Sequence, residues 1–543
     1  MPILVRNIML PLNDPEDRLP SLVAKRLGVG ESDIMTYAVV SRAVDARRGE
    51  VRFAYQLEVS LGPTARSEEA VVRRARDVLL FDGDRYQWSE PAPGKLPMRH
   101  RPIVVGFGPA GMFAALRLAM FGYRPLVLER GRAVRRRHRD IMRDYYRERQ
   151  FHPESNLLFG EGGAGTYSDG KLYTRVNDPL CRYVLEVLYR FGADPDILVN
   201  TRPHVGSDRL PTVCTRLREH IESLGGDIAF GHRLSDVRIG DGELDAIEVS
   251  DADTDAREWH QAGPVLLGLG HSARDTIAML VNRGVTVSAK PFQIGVRIEH
   301  PQSQVDQWQY GAACGHARLA AAEYHLVAKG ASENGDLFSF CMCPGGEILP
   351  TNETHGLIAT NGASKARRGS PFANSGLVIT MDPAAMGYDA LQALNYQARW
   401  EKLAFDATGG SYAVPCHRAS DFLAERASDG DLATSFPLGG RWTDVRGVIP
   451  NEVSRALQRG LVMLDRKLPG FAGEDAIITA PETRASAPIR MDRDKETREA
   501  HGVRGLFPMG EGAGYAGGIV SAAIDGIKTA DELVRRFAPP IDA

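Results

Sequence analysis

A glycine-rich turn between a short apolar run and a helical run constrains this chain more than any other feature. The turn has the sequence Gly-Phe-Gly-Pro-Ala-Gly at residues 106–111, and it follows the apolar residues 103–105. A second apolar run at 126–128 ends at an acid, Glu129. This order of strand, turn, helix, strand and acid predicts a βαβ unit of the kind that binds a dinucleotide.

Each of the three glycines of the turn has a physical role in such a unit. Gly106 allows a tight turn, Gly108 allows the backbone to approach a pyrophosphate, and Gly111 allows the helix to pack closely on the strand. The N-terminus of the helix adds free N–H groups and a partial positive charge. Glu129 stands 18 residues beyond Gly111, close to the distance at which a carboxylate accepts hydrogen bonds from a ribose. A tight turn without a ligand is the alternative, and the complete βαβ context disfavours it.

Length and composition favour a cytoplasmic protein of several domains. A chain of 543 residues is too long for one compact core. The net charge of −3 gives no electrostatic reason to expect binding of nucleic acid. The sequence contains neither a run of about 20 apolar residues nor an apolar stretch in its first 30 residues, so we expect no membrane span and no signal peptide. The six cysteines have neither disulfide-framework nor zinc spacing, so no metal site is predicted.

The succession of patterns predicts three domains, one of which is built from two separate parts of the chain. Residues 1–88 have the pattern of a small α+β domain, for which a packing or oligomerisation role is the simplest interpretation, and the proline-rich residues 89–101 form a linker. Residues 102–290 begin the dinucleotide-binding domain, in which short strands after residue 226 predict an antiparallel β-meander. Residues 291–470 are expected to form a mixed α+β substrate domain. Residues 471–543 then return to the first domain.

A second glycine cluster, at residues 510–518, predicts the other half of the ligand site. A dinucleotide such as FAD spans a long site and needs contacts at both ends. An apolar strand that ends in Gly510 and Glu511 can place a carboxylate on the ribityl chain. A helix that starts near Gly517 and Gly518 can direct its N-terminal dipole at the flavin ring, which stabilises negative charge on the reduced ring.

Longer motifs add a resemblance to a known family. They are residues 108–111, 129–131, 159–172, 270–275, 340–346 and 510–519. Together they resemble a bacterial family of FAD-dependent dehydrogenases of unassigned substrate, within the glutathione-reductase-like FAD-binding flavoproteins. The resemblance spans essentially the whole chain. It implies an α/β fold with a Rossmann-type FAD-binding domain (a parallel sheet plus a β-meander), oxidoreductase activity, and FAD as the cofactor.

The resemblance also implies which residues contact FAD. One departure is Glu511, which stands where related flavoproteins have an aspartate, so the contact with the ribityl chain differs in detail. The loop that ends at Lys171 is expected to lie against the pyrophosphate and the flavin ring, because glycine backbone can stack closely on a flat ring. The expected cofactor-binding residues are Gly106, Gly108, Pro109, Ala110, Gly111, Glu129, Arg130, Gly163, Gly165, Thr166, Ser168, Gly268, Gly270, Gly510, Glu511, Gly517, Gly518 and Ile519.

Four side chains are candidates for the chemistry. Lys171 and Asp169 lie in the glycine-rich loop, and the lysine can stabilise a reduced flavin anion, although a simple ion pair within the loop is the equal alternative. Cys341 and Cys343 form the most reactive-looking pair. On a regular strand their spacing of about 6.5–7 Å is at the limit of disulfide geometry. The sequence therefore favours two buried apolar thiols over an internal redox disulfide.

Nine arginines between residues 130 and 149 allow two interpretations. One is a surface for RNA or another anion. The other is a solvated helix, which Asp140, Asp144 and Glu148 favour because they are interleaved with the arginines.

The function predicted from these observations is that of an FAD-dependent oxidoreductase. It transfers a hydride between flavin N5 and a small organic substrate or NAD(P)H, and neither a membrane nor a nucleic acid is expected as a partner. One alternative is an RNA-modifying flavoprotein of the tRNA type, motivated by the arginine-rich segment. The other is a non-catalytic flavin-binding redox sensor, motivated by the additional N-terminal domain.

Overall fold

The computed structural model describes residues 1–47, 49–63, 65–81 and 89–540. The predicted end of the N-terminal domain at residue 88 and the last three residues of the predicted C-terminal part lie outside these ranges. Among the described residues, no helix has the length and apolar character needed to cross a membrane.

The strands fall into sheets of very different size. In chain order they are β1 (Ile3–Pro11), β2 (Ile34–Asp45), β3 (Arg52–Leu61), β4 (Val78–Leu80), β5 (Ile103–Val105), β6 (Leu126–Glu129), β7 (Asp227–Phe230), β8 (His232–Gly240), β9 (Glu243–Asp251), β10 (Arg257–Gln261), β11 (Val265–Leu267), β12 (Val287–Ala289), β13 (Phe292–Pro301), β14 (Val327–Ser332), β15 (Gly335–Cys343), β16 (Gly346–Pro350), β17 (Thr360–Ser364), β18 (Phe372–Met381), β19 (Val414–Arg418), β20 (Gly440–Trp442), β21 (Ile477–Glu482), β22 (Ile489–Met491) and β23 (Leu506–Pro508).

The α-helices lie between and around these strands. They are α1 (Leu19–Leu27), α2 (Glu68–Val72), α3 (Pro109–Met120), α4 (Val134–Arg139), α5 (Leu180–Arg190), α6 (Leu210–Ser223), α7 (Arg274–Asn282), α8 (Gln302–Tyr310), α9 (Ala390–Ala407), α10 (Ala419–Leu423), α11 (Asn451–Asp465) and α12 (Ile519–Arg536). A π-helical turn, Asp140–Tyr145, follows α4 directly, and a 3-10 turn, Gly163–Tyr167, lies in the glycine-rich loop.

The N-terminal part forms an antiparallel sheet in the order β2-β3-β1-β4. Strand β3 alternates buried apolar residues with more exposed ones, which is the pattern of a sheet with one face on a core. Helix α1 covers that face and ends at Gly28, whose left-handed conformation (φ 66°) terminates the helix.

The centre of the molecule is a five-stranded parallel sheet in the order β23-β11-β5-β6-β7. The β5-α3-β6 crossover is the βαβ unit that the glycine turn predicts. An antiparallel three-stranded sheet, β8-β9-β10, is inserted before β11 and corresponds to the expected meander. The α/β fold class with a Rossmann-type parallel sheet and a β-meander is therefore confirmed.

A seven-stranded sheet in the order β14-β15-β18-β13-β21-β19-β20 carries the largest apolar core. Strand β21 pairs with both β13 and β19. This sheet therefore continues past residue 470, the predicted end of the substrate domain. The division of the chain into domains stays a prediction.

The end of the chain returns to the glycine turn through close helix packing. Strand β23 extends the parallel sheet beside β11, and α12 then lies against α3. A Cβ atom at Gly526 of α12 would lie 2.1 Å from the backbone oxygen of Ala110 on α3. Only glycine permits this approach, which brings residues 510–519 next to residues 106–111.

Candidate functional site

One cavity of about 710 Å³ lies at the carboxyl ends of the parallel strands β5 and β11. Open α/β sheets bind their ligands at this edge. The cavity is lined by segments that are far apart in sequence: residues 105–110, 163–165, 168–171, 268–273, 338–341 and 517–522. It therefore joins the parallel sheet to β15 of the seven-stranded sheet.

The glycine turn uses its three glycines in different ways. Gly106 has a φ of 91°, and a Cβ atom there would lie 2.4 Å from the oxygen of Gly268 on the neighbouring strand connection. A Cβ atom at Gly111 would lie 1.9 Å from the oxygen of Gly106. Gly108 differs, because its φ of −77° is open to any residue and its nearest neighbour would be the Cα of Gly163 at 3.9 Å. Gly108 therefore faces the open space of the cavity, whereas Gly106 and Gly111 face closely packed backbone.

Helix α3 presents its N-terminus to the cavity. Its N-cap residue is Gly108, and the helix start has no side-chain cap. Pro109 at the first helical position has no N–H group to satisfy. The next backbone N–H groups are therefore available to an anion in the cavity, in the arrangement that binds phosphate groups at helix N-termini.

Glu129 organises the turn from the end of β6. Its side chain is buried, at 4% exposure, and lines the cavity. Its carboxylate accepts hydrogen bonds from the backbone N–H groups of Phe107 (2.8 Å), Gly131 (2.9 Å) and Gly160 (2.9 Å). It thereby ties β5, β6 and the glycine-rich loop together, while its contact with a ribose stays a prediction.

Two arginines of the arginine-rich segment, Arg130 and Arg137, are engaged within the protein. Arg130 lies over the ring of Phe159 at 4.1 Å and pairs with Glu154 (2.6 Å) and Asp275 (2.8 Å). Arg137 is fully buried and donates hydrogen bonds to three backbone oxygens, of Asn156 (2.8 Å), Glu161 (2.7 Å) and Gly163 (2.9 Å). These contacts support a structural role for Arg130 and Arg137, because they hold the glycine-rich loop against the cavity.

Asp169, in the glycine-rich loop, is a buried carboxylate at the cavity wall. Asp169 is 2% exposed, and neither of its carboxylate oxygens has a hydrogen-bond partner among the described residues. Lys171 Nζ lies 3.8 Å away, beyond hydrogen-bond distance. Because unpaired buried carboxylate oxygens are costly, this arrangement suits a ligand that brings hydrogen-bond donors.

Lys171 joins the glycine-rich loop to the two cysteines of β15. Its ammonium donates a hydrogen bond to the backbone oxygen of Met342 and lies 3.7 Å from Cys341 Sγ and 3.8 Å from Cys343 Sγ. Burial opposes the charged form, but the two sulfur atoms and Asp169 raise the pKa of Lys171 above its usual value. The structure therefore brings all four predicted catalytic side chains together.

The expected strand geometry of the two cysteines is wrong. The pairing of β15 with β18 shifts by one residue between Phe340 and Cys343, and Cys341 lies in the left-handed region with φ 45°. One extra residue in the strand breaks the alternation on which the estimated spacing rests. Cys341 consequently lines the cavity, while Cys343 is fully buried behind it.

The glycine cluster at residues 510–518 contributes another part of the cavity wall. Gly510 N–H donates to the carboxylate of Asp525 (2.7 Å), which also pairs with Arg493 (2.7 Å). Burial raises the pKa of Glu511, which lines the cavity, to about 7, although the nearby Lys290 lowers it somewhat. Sequence reasoning missed Asp525, because an acid within an amphipathic helix has no feature that separates it from a solvated one.

Most predicted site residues line the cavity, and four lie directly behind it. Thr166 is fully buried and donates to the oxygen of Glu161 (2.7 Å), and Gly111, Gly510 and Cys343 support the wall from behind. The predicted residues on the cavity surface are Gly106, Gly108, Pro109, Ala110, Glu129, Arg130, Gly163, Gly165, Ser168, Asp169, Lys171, Gly268, Gly270, Cys341, Glu511, Gly517, Gly518 and Ile519.

The cavity also contains charged and polar side chains that are absent from the predicted set. His271 Nδ1 lies 2.6 Å from Ser272 Oγ, which accepts a hydrogen bond from Arg484 (2.9 Å). Arg484 also pairs with the fully buried Glu401 (2.8 Å). Burial and, after it, the charges of Arg484 and Arg274 lower the pKa of His271 to about 3, so this ring is neutral at physiological pH.

One group with metal-ligand residue types lies outside the cavity wall. Ligand atoms of Asp140, Asp144 and His152 lie within 4.8 Å of one another. The two carboxylates already pair with Arg132 (3.1 Å) and Arg143 (2.7 Å). These positive charges oppose the binding of a cation.

The chain has a relative of nearly identical length. It is 38% identical over 544 residues to an uncharacterized protein of Clostridium beijerinckii, and the alignment covers 99% of this chain and all of that protein. The chain belongs to the same family as this clostridial protein. Within it, residues 291–485 match the family described as "FAD-dependent protein, C-terminal domain-like", and residues 2–60 match a domain of unknown function, DUF8436.

The solved structures to which the chain is similar include a dehydrogenase and an oxidase. The glycerol-3-phosphate dehydrogenase of Bacillus halodurans, complexed with FAD, is 10% identical with a TM-score of 0.35, and the match covers 80% of this chain and 64% of that one. The glycine oxidase of Geobacillus kaustophilus is 11% identical with a TM-score of 0.35, covering 82% of this chain and all of that one. The residues that match the family model, 291–485, include β15 and thus the part of the cavity wall that carries Cys341.

Proposed function

We propose that this protein is an oxidoreductase that binds FAD in the cavity and transfers a hydride between flavin N5 and a small organic substrate or NAD(P)H. The observation that carries the proposal is the composition of the cavity wall. It joins the glycine turn, the N-terminus of α3, the glycine-rich loop and the start of α12 around one continuous space. The match of residues 291–485 to FAD-dependent proteins supports the same cofactor.

The residues present fit FAD at both ends of the site. Gly108 and the N-terminus of α3 would hold the pyrophosphate, because Gly108 lines the cavity and a Cβ atom there would have no described neighbour closer than 3.9 Å. The side chains of Glu129 and Arg130 would lie toward the adenosine. The carboxylate of Asp169, which has no hydrogen-bond partner in the described part of the chain, would accept hydrogen bonds from the ribityl or flavin part, which offers O–H and N–H donors.

The chemistry of the reaction comes from the bound flavin, which accepts or donates a hydride at N5. The protein contributes position and electrostatics. The positive charge of Lys171 and the N-terminus of α12 would stabilise negative charge on the reduced ring. The neutral His271 and Arg484, which the fully buried Glu401 holds in place, line a second polar part of the wall that can orient a substrate. Glu511, with a pKa of about 7, can hold or release a proton in the same cavity.

The test is anaerobic mixing of the FAD-loaded protein with NADH, with NADPH, or with small organic substrates while the flavin absorbance is recorded. We expect at least one of these reductants to bleach the bound flavin much faster than it bleaches free FAD. Lys171→Met should slow this reduction more than it weakens FAD binding. Bound flavin that no reductant bleaches faster than free flavin would contradict the proposed activity and favour a non-catalytic role.

A further inference from the structure

The two cysteines of β15 have a geometry that suits a redox couple. The bulge turns Cys341 to the cavity and leaves Cys343 behind it. The Cys343 thiol donates a hydrogen bond to the backbone oxygen of Cys341 (3.3 Å), and both sulfur atoms lie within 4 Å of Lys171 Nζ. A non-glycine residue with φ 45° is energetically unfavourable and is retained only where its surroundings enforce it. This local strain coincides with the one position of β15 where a sulfur atom reaches the cavity.

The charges around the pair favour a thiolate on Cys341. Lys171 Nζ lies within 4 Å of both sulfur atoms, and Arg297 donates a hydrogen bond to the backbone oxygen of Cys341 (3.3 Å). The neighbouring Cys343 thiol, and then the charge of Lys171, hold the pKa of the Cys341 thiol well below its usual value. Thiolates are the reactive form in disulfide exchange. The ionisable groups that face the pair are Lys171, Asp169, Arg297 and Glu482.

We propose that Cys341 and Cys343 form a dithiol–disulfide couple that exchanges two electrons with the FAD of the proposed function. In one direction the Cys341 thiolate and the Cys343 S–H group lose two electrons and one proton, and an S–S bond forms. Bound FAD would accept both electrons and that proton. The reverse direction breaks the S–S bond and regenerates the thiolate and the thiol. The couple thus stores one further pair of electrons beside the flavin.

The stored electrons can be counted directly. FAD-loaded protein is oxidised with diamide and then titrated anaerobically with dithionite. We expect the wild type to consume about twice the reducing equivalents per flavin that Cys343→Ser consumes. Cys314→Ser is the matched control, because Cys314 is exposed and lies outside the cavity wall, and it should behave as the wild type. Equal consumption by the wild type and Cys343→Ser would overturn the proposal.

A second measurement needs neither a variant nor the cofactor. Mass spectrometry of the diamide-treated wild-type chain should find a peptide over residues 341–343 that is lighter by two hydrogens and resists alkylation. Full alkylation of both thiols under these conditions would overturn the proposal even if a serine variant folds poorly.

Lys171 is the positioning residue of the couple. In the FAD-free protein, the rate at which iodoacetamide alkylates Cys341 at mildly acidic pH should fall about tenfold or more in Lys171→Met, since a shift of one pKa unit changes the thiolate fraction tenfold. Lys171→Arg should restore most of the rate. An unchanged pH profile in Lys171→Met would contradict this assignment. Because the proposal depends on the proposed function, absence of bound flavin would refute both, whereas bound and reducible flavin beside inert thiols would refute the couple alone.

Discussion

The substitution Gly108→Ala separates ligand binding from folding better than any other change in the glycine turn. The backbone at Gly108 has φ −77° and ψ −174°, which alanine adopts without strain. The added methyl group would have the Cα of Gly163 at 3.9 Å as its nearest neighbour, an ordinary contact. The folded chain therefore has room for it, and the methyl group occupies space that the proposed pyrophosphate needs.

The expected magnitudes follow from this geometry. Alanine is a poorer N-cap than glycine, so the free energy of unfolding should fall by only about 0.5–1 kcal/mol. Displacing the pyrophosphate from the α3 backbone should remove at least one hydrogen bond to a charged group, worth about 1.5–3 kcal/mol. This loss corresponds to FAD binding that is weaker by roughly 10- to 100-fold.

The assay is fluorescence titration of the FAD-free protein with FAD, together with urea unfolding. Gly447→Ala is a control, because its Cβ would also have open space and the residue lies outside the cavity wall. It should leave FAD affinity unchanged. If Gly108→Ala binds FAD as tightly as Gly447→Ala and the wild type do, the pyrophosphate does not lie at the α3 N-terminus and the reasoning fails.

Three further changes test individual contacts of the site. Glu129→Ala leaves three buried backbone N–H groups without their acceptor, so the free energy of unfolding in urea should fall by about 3–5 kcal/mol. The same change should weaken the retention of FAD. Asp525→Ala removes the partner of Gly510 N–H and of two arginines and should cost about 3–5 kcal/mol; stability equal to the wild type would contradict the role given to this acid. Burial raises the pKa of Glu511 from 4.5 to about 7, so the folded chain keeps a proton that the unfolded chain loses between these values, and stability falls as the pH rises through this window. In the FAD-free protein, Glu511→Gln should remove up to about 3 kcal/mol of this pH dependence of the free energy of unfolding, measured in urea at a series of pH values. An identical pH profile for the two proteins would contradict the raised pKa of Glu511.

The parallel sheet and the glycine turn could be predicted because local patterns determine them. An apolar run, a turn that only glycine fits, and a helical run leave few alternatives to a βαβ unit. Residues 510–519 were also predictable as the second half of the site, since their strand and helix repeat the same pattern. Their approach to residues 106–111 depends on Gly526, a single small residue in a long helix, and no local pattern indicates that contact.

The details that sequence reasoning missed depend on tertiary contacts. The bulge at Cys341 arises from one extra residue against β18, and nothing in the composition of β15 signals it. Among the nine arginines of residues 130–149, the sequence does not distinguish Arg137, which turns inward, from its neighbours. Two of the interleaved acids, Asp140 and Asp144, pair with arginines of this segment, and the choice between a solvated helix and a surface for RNA stays a prediction.

The most direct test of this account is the identity and amount of the nucleotide that the purified protein carries. Its absorption spectrum is recorded, the protein is denatured, and the released compound is identified by mass spectrometry. We predict a flavin spectrum and close to one FAD per chain, restored on adding FAD if purification removes it. A protein that carries no flavin and takes up none, or that binds only a nicotinamide dinucleotide in this cavity, would contradict the account.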